Sequence, residues 1–402
     1  MMSESRPLTI LCLASYEKGY AFLRECKREG CRVLLLTLER LAEGEWPREC
    51  LDEVHLMPSL AQRQDVLHAV SYLARHQPID RIVPLDDYDV ETAAALREHL
   101  RCPGMGDTTA RFFRDKLAMR VQAQDRGILV PSFVHVLNYD RLAEWMAQTP
   151  APWVLKPRSE ASAVGIQKIN NAEDLWPVLD KLGDRQSYYV LEQYIAGDVY
   201  HVDAIHTERE VVFALAHQYG HPPMNVAHEG GIFTSHTLPR DSADSQTLLS
   251  LHRELMLALN MVRGVTHTEF IKGRADGRFY FLETAARVGG AYIAESVEAA
   301  TGINLWAEWA KIEISGGATP YVVPPARTDY AGLLVSLARQ EWPDLSAYTD
   351  PEVVWRLHRK NHAGLVVAAP DPDRVAALLD SYTQRFATDF FASLPPVTKP
   401  TS

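Results

Sequence analysis

The chain has 402 residues, with 41 Lys and Arg against 52 Asp and Glu, and so carries a net charge of −11. At roughly 150 residues per domain the length predicts two or three domains, and a balance this acidic excludes a general affinity for nucleic acid or anionic lipid, whose phosphates need a basic face. An apolar fraction of 47% beside 23% charged residues excludes disorder and the collagen-like, coiled-coil and low-complexity classes.

No apolar run approaches the ~20 residues that cross a bilayer. Residues 8–14 form a short apolar run, and Glu17 and Lys18 follow where a secretory leader would place its small-residue cleavage site. The run is therefore read as a buried first strand. The five cysteines are Cys12, Cys26, Cys31, Cys50 and Cys102, an odd number without a C-x-x-C pair. That pattern fits the reduced thiols of a cytoplasmic protein, not a disulfide framework or zinc site. A helix at 20–29, stopped by Gly30, precedes a strand at 32–38, a helix at 61–76, a strand at 81–85 and a helix at 90–100. Strands alternating with helices predict a parallel sheet covered on both faces, so residues 1–106 read as a small α/β domain.

Asp107 suits the cap of a helix running through Arg126 and closed by Gly127. Beyond it, short strands are expected at 153–156, 165–169, 188–192, 200–207, 211–217, 265–271 and 278–283. Helices are expected at 172–182 and 242–259. Mixed hairpins and helices predict an α+β domain over 107–325. Residues 326–402 read as a small C-terminal α+β subdomain. It has strands at 330–337 and 364–369, a helix at 373–386, and a frayed tail around Pro395, Pro396 and Pro400.

Four segments carry chemistry. The first, 265–283, reads strand, turn, strand. A three-residue loop of Ala275, Asp276 and Gly277 would set Glu269 opposite Glu283. Like charges so placed repel, and a divalent cation between them would relieve this with both carboxylates as oxygen ligands. A shorter loop, or carboxylates turned to water, would serve equally well on this segment alone. The second, WVLKPRSEASAVGI, delivers Lys156 from a strand into a loop of small residues that includes Ser159, Ser162 and Gly165. Small side chains let backbone amides approach phosphate, although a Walker A order is absent and an ordinary flexible hairpin fits too. The third, EQYIAGDVYHVD, ends an apolar strand in Glu192 and turns through a glycine to Asp198. A strand edge of this kind pairs with a flat purine, as many plain hairpins also could. The fourth, ETAARVGGAYI, places Arg287 four residues past Glu283 and beside Gly289 and Gly290, where it could meet phosphate or a carboxylate or simply brace the turn. The chain has fifteen histidines, and no G-x-S-x-G element supports hydrolase chemistry. Nor does the G-x-G-x-x-G of a dinucleotide site follow the first strand.

The order of the elements is more specific than any one of them. Asp115-Lys116 opening a helix, then V-L-K-P, the small-residue loop, E-Q-Y-I-x-G-D, H-T-E-F and F-L-E-T-A-A-R-x-G-G resembles the ATP-grasp superfamily. Within it, the sequence is most similar to carboxylate–amine ligases of the L-amino acid ligase type. The resemblance implies an N-terminal parallel α/β (pre-ATP-grasp) domain over 1–106. A two-lobed ATP-grasp fold then follows over 107–325, its smaller lobe at about 115–195. By the same resemblance Lys116 and Lys156 contact the nucleotide, and the loop with Ser159, Ser162 and Gly165 folds over its phosphates. Glu192, Gln193, Tyr194 and Ile195 form the adenine hinge, with Glu192 accepting from the amino group, and Asp198 holds the ribose. Glu269 and Glu283 bind magnesium, with manganese as an alternative ion, and Arg287 stabilises the transferred phosphoryl group. His228, Glu229, Gly289 and Gly290 are the substrate-side candidates. Many relatives place an Asn two residues after the second metal Glu; here that position is Ala285.

The implied activity is ATP-dependent activation of a small-molecule carboxylate as an acyl phosphate, then attack by an amine, releasing ADP and phosphate. Neither nucleic acid nor membrane takes part, and relatives are commonly homodimers. Two alternatives are an ATP-binding regulatory protein without catalysis and a ligase whose acceptor is a thiol or carrier-bound group.

Overall fold

The structure, a computed structural model, describes residues 6–161, 164–224, 226 and 230–393. Ser162, His228 and Glu229 therefore lie outside the described residues. Three sheets organise the described residues.

The first is the four-stranded parallel sheet β3-β2-β1-β4, built from β1 (Thr9–Ala14), β2 (Arg32–Leu38), β3 (Glu53–Met57) and β4 (Arg81–Pro84). Every residue of β1 is buried, as a strand covered on both faces requires. Helices α1 (Tyr20–Arg28), α2 (Arg63–Ala74) and α3 (Val90–Leu100) complete the unit. β3 was not expected, because its EVHLM run is a half-exposed edge with no apolar block to mark it.

The expected single helix from Asp107 is broken. α4 (Asp107–Ala110) gives way to a 3-10 turn at Arg111–Phe113, and α5 (Lys116–Asp125) starts afresh. Asp115 is the reason. Its side chain accepts from the amides of Leu117 and Ala118, which makes it the cap of α5.

The second sheet, β5-β8-β6-β7, is antiparallel. It contains β5 (Phe133–His135), β6 (Trp153–Pro157), β7 (Gln167–Ile169) and β8 (Tyr189–Gln193). Helices α6 (Tyr139–Gln148) and α7 (Ala172–Leu182) pack Leu142, Leu175 and Leu179 against its Trp153, Leu155 and Leu191.

The third sheet has eight antiparallel strands in the order β13-β12-β9-β10-β11-β14-β16-β15. They are β9 (Gly197–Thr207), β10 (Glu210–Tyr219), β11 (Phe233–Thr237), β12 (Gly264–Gly273), β13 (Phe279–Ala285), β14 (Tyr330–Leu337), β15 (Val353–Arg356) and β16 (His362–Ala369). The segment after 326 thus builds no sheet of its own. Its strands extend the central sheet through the β11–β14 ladder, and α11 (Pro372–Asp389) packs on them. α8 (Ala243–Ala258) covers one face of the large sheet. α9 (Ile293–Thr301) and α10 (Leu305–Ser315) cover the other, in one continuous core with β1, β2 and α1. The Phe22 and Trp309 rings meet edge-on across that seam, 5.3 Å apart. No described helix is long and apolar enough to cross a membrane.

Candidate active site

A cavity of about 410 Å³ lies between the two antiparallel sheets, with β6 and β8 on one side and β12 and β13 on the other. It collects most of the residues singled out in the sequence: Lys116, Lys156, Glu192, Gln193, Tyr194, Ile195, Glu269, Glu283, Arg287 and Gly290. Among the described residues, Ser159, Gly165, Asp198 and Gly289 do not line it.

Glu269 stands directly opposite Glu283. The hairpin reaches this pairing by a different route from the one expected. Lys272 pairs with Phe279, and the amide of Gly273 donates to Arg278 O, so the loop is longer than three residues. A bulge between Glu269 and Phe270 then shifts the register and brings the two acids level. Facing carboxylates would sit about 5 Å apart at Cβ. Each already has a partner: the Tyr219 hydroxyl donates to Glu269 Oε1 at 2.8 Å, and Lys116 Nζ lies 2.9 Å from Glu283 Oε2. Burial pushes the Glu283 carboxyl up, but Lys116 and Lys156 outweigh it and hold it below its ordinary range. Two carboxylates on one side of a cavity are the donor set a hard divalent cation takes.

Lys116 and Arg120 are four residues apart and share one face of α5. Lys116 Nζ donates to the carbonyl of Glu160 at 2.7 Å, and its amide donates to Arg158 O at 2.8 Å, so α5 is tied to the loop after β6. Gly165, at φ 72°, turns that loop back; a Cβ there would sit 2.9 Å from Pro157 Cγ.

Glu192 was expected to face adenine. Its side chain instead meets two cations, Lys156 Nζ at 2.6 Å and Arg120 Nε at 3.0 Å. All three are almost fully buried. Burial pushes Glu192 up, and Arg120 and Lys156 overcome it and hold it ionised. Lys156 falls below its ordinary range because burial outweighs Glu192. Sequence reading missed Arg120, whose only signal was its helical spacing from Lys116.

Asp198 is turned away for a simple reason. Gly197 and Val199 line the cavity, and alternation along β9 sends the residue between them to the opposite face, where Arg274 Nη2 meets it at 3.1 Å. Of the hinge amides, Gln193 donates to Ser132 O and Tyr194 to Pro152 O.

Arg287 follows β13 and points back to the first sheet. Its Nε donates to Asp87 Oδ2 at 2.8 Å, and Nη2 lies 2.7 Å from the same oxygen. Burial pushes Asp87 up, yet Arg287 and Arg114 hold it at about 2.

A buried polar chain that the sequence reading did not assemble reaches the cavity lining at Tyr219 and His267. Asp203 accepts from His201 Nδ1 at 2.7 Å and His267 Nδ1 at 2.9 Å; His267 Nε2 lies 3.2 Å from the Tyr219 hydroxyl. Burial alone would lower His267, but Asp203 and Glu269 raise it to about 10. A Cβ on Gly289 would come 2.9 Å from Asp203 Oδ1 and 3.0 Å from His267 Nδ1. Gly289 thus lets the Arg287 loop rest on this chain without itself reaching the cavity.

Residues 149–295 match the ATP-grasp domain family. The chain is 24% identical over 262 residues to the L-arginine-specific L-amino acid ligase of Bacillus subtilis, covering 63% of this chain and 62% of that relative, or about three-fifths of its length. The crystal structure of L-amino acid ligase from Bacillus licheniformis superposes with a TM-score of 0.75 at 17% identity, over 97% of this chain and 100% of that one. A carboxyaminoimidazole ribonucleotide synthase crystallised with ATP gives 0.73 at 15% identity, over 95% and 99%. The matched segment contains the hinge and both facing carboxylates, and the chain as a whole shares the fold of these solved structures.

Proposed function

We propose that the protein is an ATP-dependent carboxylate–amine ligase. The observation that carries this reading is the cavity itself. Two facing carboxylates, two lysines and an arginine surround one cavity between two sheets. The similarity to amino acid ligases supports it.

A carboxylate is a poor electrophile at neutral pH. In the proposed reaction a carboxylate oxygen of the substrate attacks the γ-phosphorus of ATP, the bond to the β-phosphate oxygen breaks, and ADP leaves. The amine then attacks the acyl carbon and loses a proton, the acyl C–O bond breaks, and phosphate departs carrying the former carboxylate oxygen. Such transfer needs positioning and neutralisation of charge. Lys116 and Lys156 supply cations at the phosphates. Arg287, held by Asp87, supplies one at the transferred group. Adenine lies along the hinge, against Val154, Ile195 and Leu282; since the Gln193 and Tyr194 amides are already used, the Ile195 backbone makes the polar contact. Glu192 acts through Lys156, setting its position.

Glu269 and Glu283 would hold magnesium, or manganese in its place. Bound there, the ion would neutralise phosphate charge. With Ala285 in place of a further oxygen ligand, these two carboxylates carry the protein's share of the binding. The loop 159–165 would close over the phosphates to keep water from the acyl phosphate. The substrates are a small-molecule carboxylate and an amine, with amino acids the first class to try. The same reading keeps the division near 106 and 325, with a lobe at about 115–195, and a homodimer as the assembly.

The test is ADP and phosphate release from magnesium-ATP across single and paired L-amino acids, with products followed by mass spectrometry. Release with a product mass equal to both substrates less water establishes the ligase. Release without any condensed product contradicts it.

A further inference from the structure

One wall of the cavity is left unused by the nucleotide. Pro222, Pro223, Met224, Val226, Phe233 and Ile293 form it. Two features set this wall at the metal end of the cavity, away from the hinge. The Phe233 ring lies 5.4 Å from the Tyr219 ring, and Tyr219 donates to Glu269. Ile293 opens α9 directly after the loop that carries Arg287 and Gly290. A substrate whose carboxylate lies between Glu269, Glu283 and Arg287 therefore extends its remaining atoms along these six residues.

The cationic side chains Lys116, Lys156 and Arg287 of the cavity already have acidic partners. Lys116 meets Glu283, Lys156 meets Glu192, and Arg287 meets Asp87. The Glu160 carboxylate accepts from the Tyr88 hydroxyl at 3.2 Å. None of the six wall residues bears a charge or a side-chain hydrogen-bonding group, so an ionic side chain seated against them would be desolvated and would find no counter-charge among them. A hydrocarbon or thioether chain would bury apolar surface on both partners.

We infer that the activated carboxylate substrate carries an uncharged, apolar side chain (aliphatic, aromatic or thioether) seated against this wall. The inference rests on the ligase reading and specifies its substrate.

The experiment measures ADP release by the full chain with magnesium-ATP. L-Leucine, L-methionine and L-phenylalanine, each paired with L-alanine, are compared with L-arginine, L-lysine and L-aspartate paired the same way. The apolar set is expected to turn over at least about tenfold faster. Phe233→Asp is expected to slow leucine and favour arginine, shifting their ratio by about tenfold or more. If that variant does not fold, Met224→Glu reads the same shift. Equal or faster turnover of the charged set overturns the inference and leaves the ligase standing, as does an unchanged ratio in a folded wall variant. ADP formed with succinate but with no amino acid has the same meaning. Absence of magnesium-dependent ATP binding to the wild type overturns the ligase reading and the inference together.

Discussion

Arg287 donates to a carboxylate oxygen of Asp87, a residue 200 positions earlier in the chain. Asp87 lies in the 3-10 turn just past β4, at the carboxyl edge of the parallel sheet. The N-terminal sheet thus fixes the cation that the proposed reaction uses at the transferred group. Arg114 Nη1 stands 3.8 Å from the other Asp87 oxygen, so one buried carboxylate orients two arginines.

Arg287→Ala should lower turnover by about 10²-fold or more while changing ATP affinity little, because the guanidinium acts on charge that develops in the transition state. Asp87→Asn keeps the arginine but loosens it, and a smaller loss, about tenfold, is expected. Steady-state kinetics beside equilibrium nucleotide binding separate the two effects. A loss confined to ATP affinity would mean that Arg287 holds ground-state phosphate.

Glu283→Gln removes a ligand's charge without changing its shape. Turnover should fall by about 10²-fold or more, with the melting midpoint nearly unchanged. The half-saturating magnesium concentration should rise for Glu269→Gln, which keeps the Tyr219 contact but weakens the donor set. Wild-type turnover in Glu283→Gln would remove the metal assignment.

Arg120→Met leaves Glu192 buried with one cation instead of two. Breaking a buried pair in this way costs about 3–5 kcal/mol. The double variant with Glu192→Gln should lose further stability and show impaired ATP binding, because Lys156 is then buried without its partner. Urea unfolding of the two variants and the wild type measures the coupling directly.

Asp89 gives a pH signature. Ser15 donates to it from its amide at 2.7 Å and its hydroxyl at 2.6 Å, yet burial, with Asp86 beside it, raises its carboxyl to about 7. Between pH 4 and pH 7 the folded state keeps this proton and the unfolded chain has lost it. This contribution is fully present below about pH 4 and is lost as pH rises through 7. Asp89→Asn should remove that decline. A comparison of melting midpoints at pH 5 and pH 8 checks it: the drop should be smaller in the variant than in the wild type.

Much of this could be read from the amino-acid order, for physical reasons that differ by element. β1 and β2 were legible because strands buried on both faces are continuous apolar runs. β3 and β15 were not, since short edge strands keep exposed positions. The facing of Glu269 and Glu283 was anticipated from loop chemistry, but the observed loop is longer and a bulge restores the register. No local pattern announces a bulge. Asp198 shows the converse. Its place after the hinge fits a motif, while strand alternation turns it from the cavity. Arg120, Asp87 and the Asp203–His267 pair escaped because their partners are distant in sequence and only folding brings them together.

The most direct measurement follows an oxygen atom. The wild-type protein is given magnesium-ATP, an acceptor amine and leucine labelled with oxygen-18 in its carboxylate, and the released inorganic phosphate is analysed by mass spectrometry. If the carboxylate attacks the γ-phosphorus, each turnover carries one labelled oxygen into the phosphate. Unlabelled phosphate released alongside condensed product would contradict the acyl phosphate route.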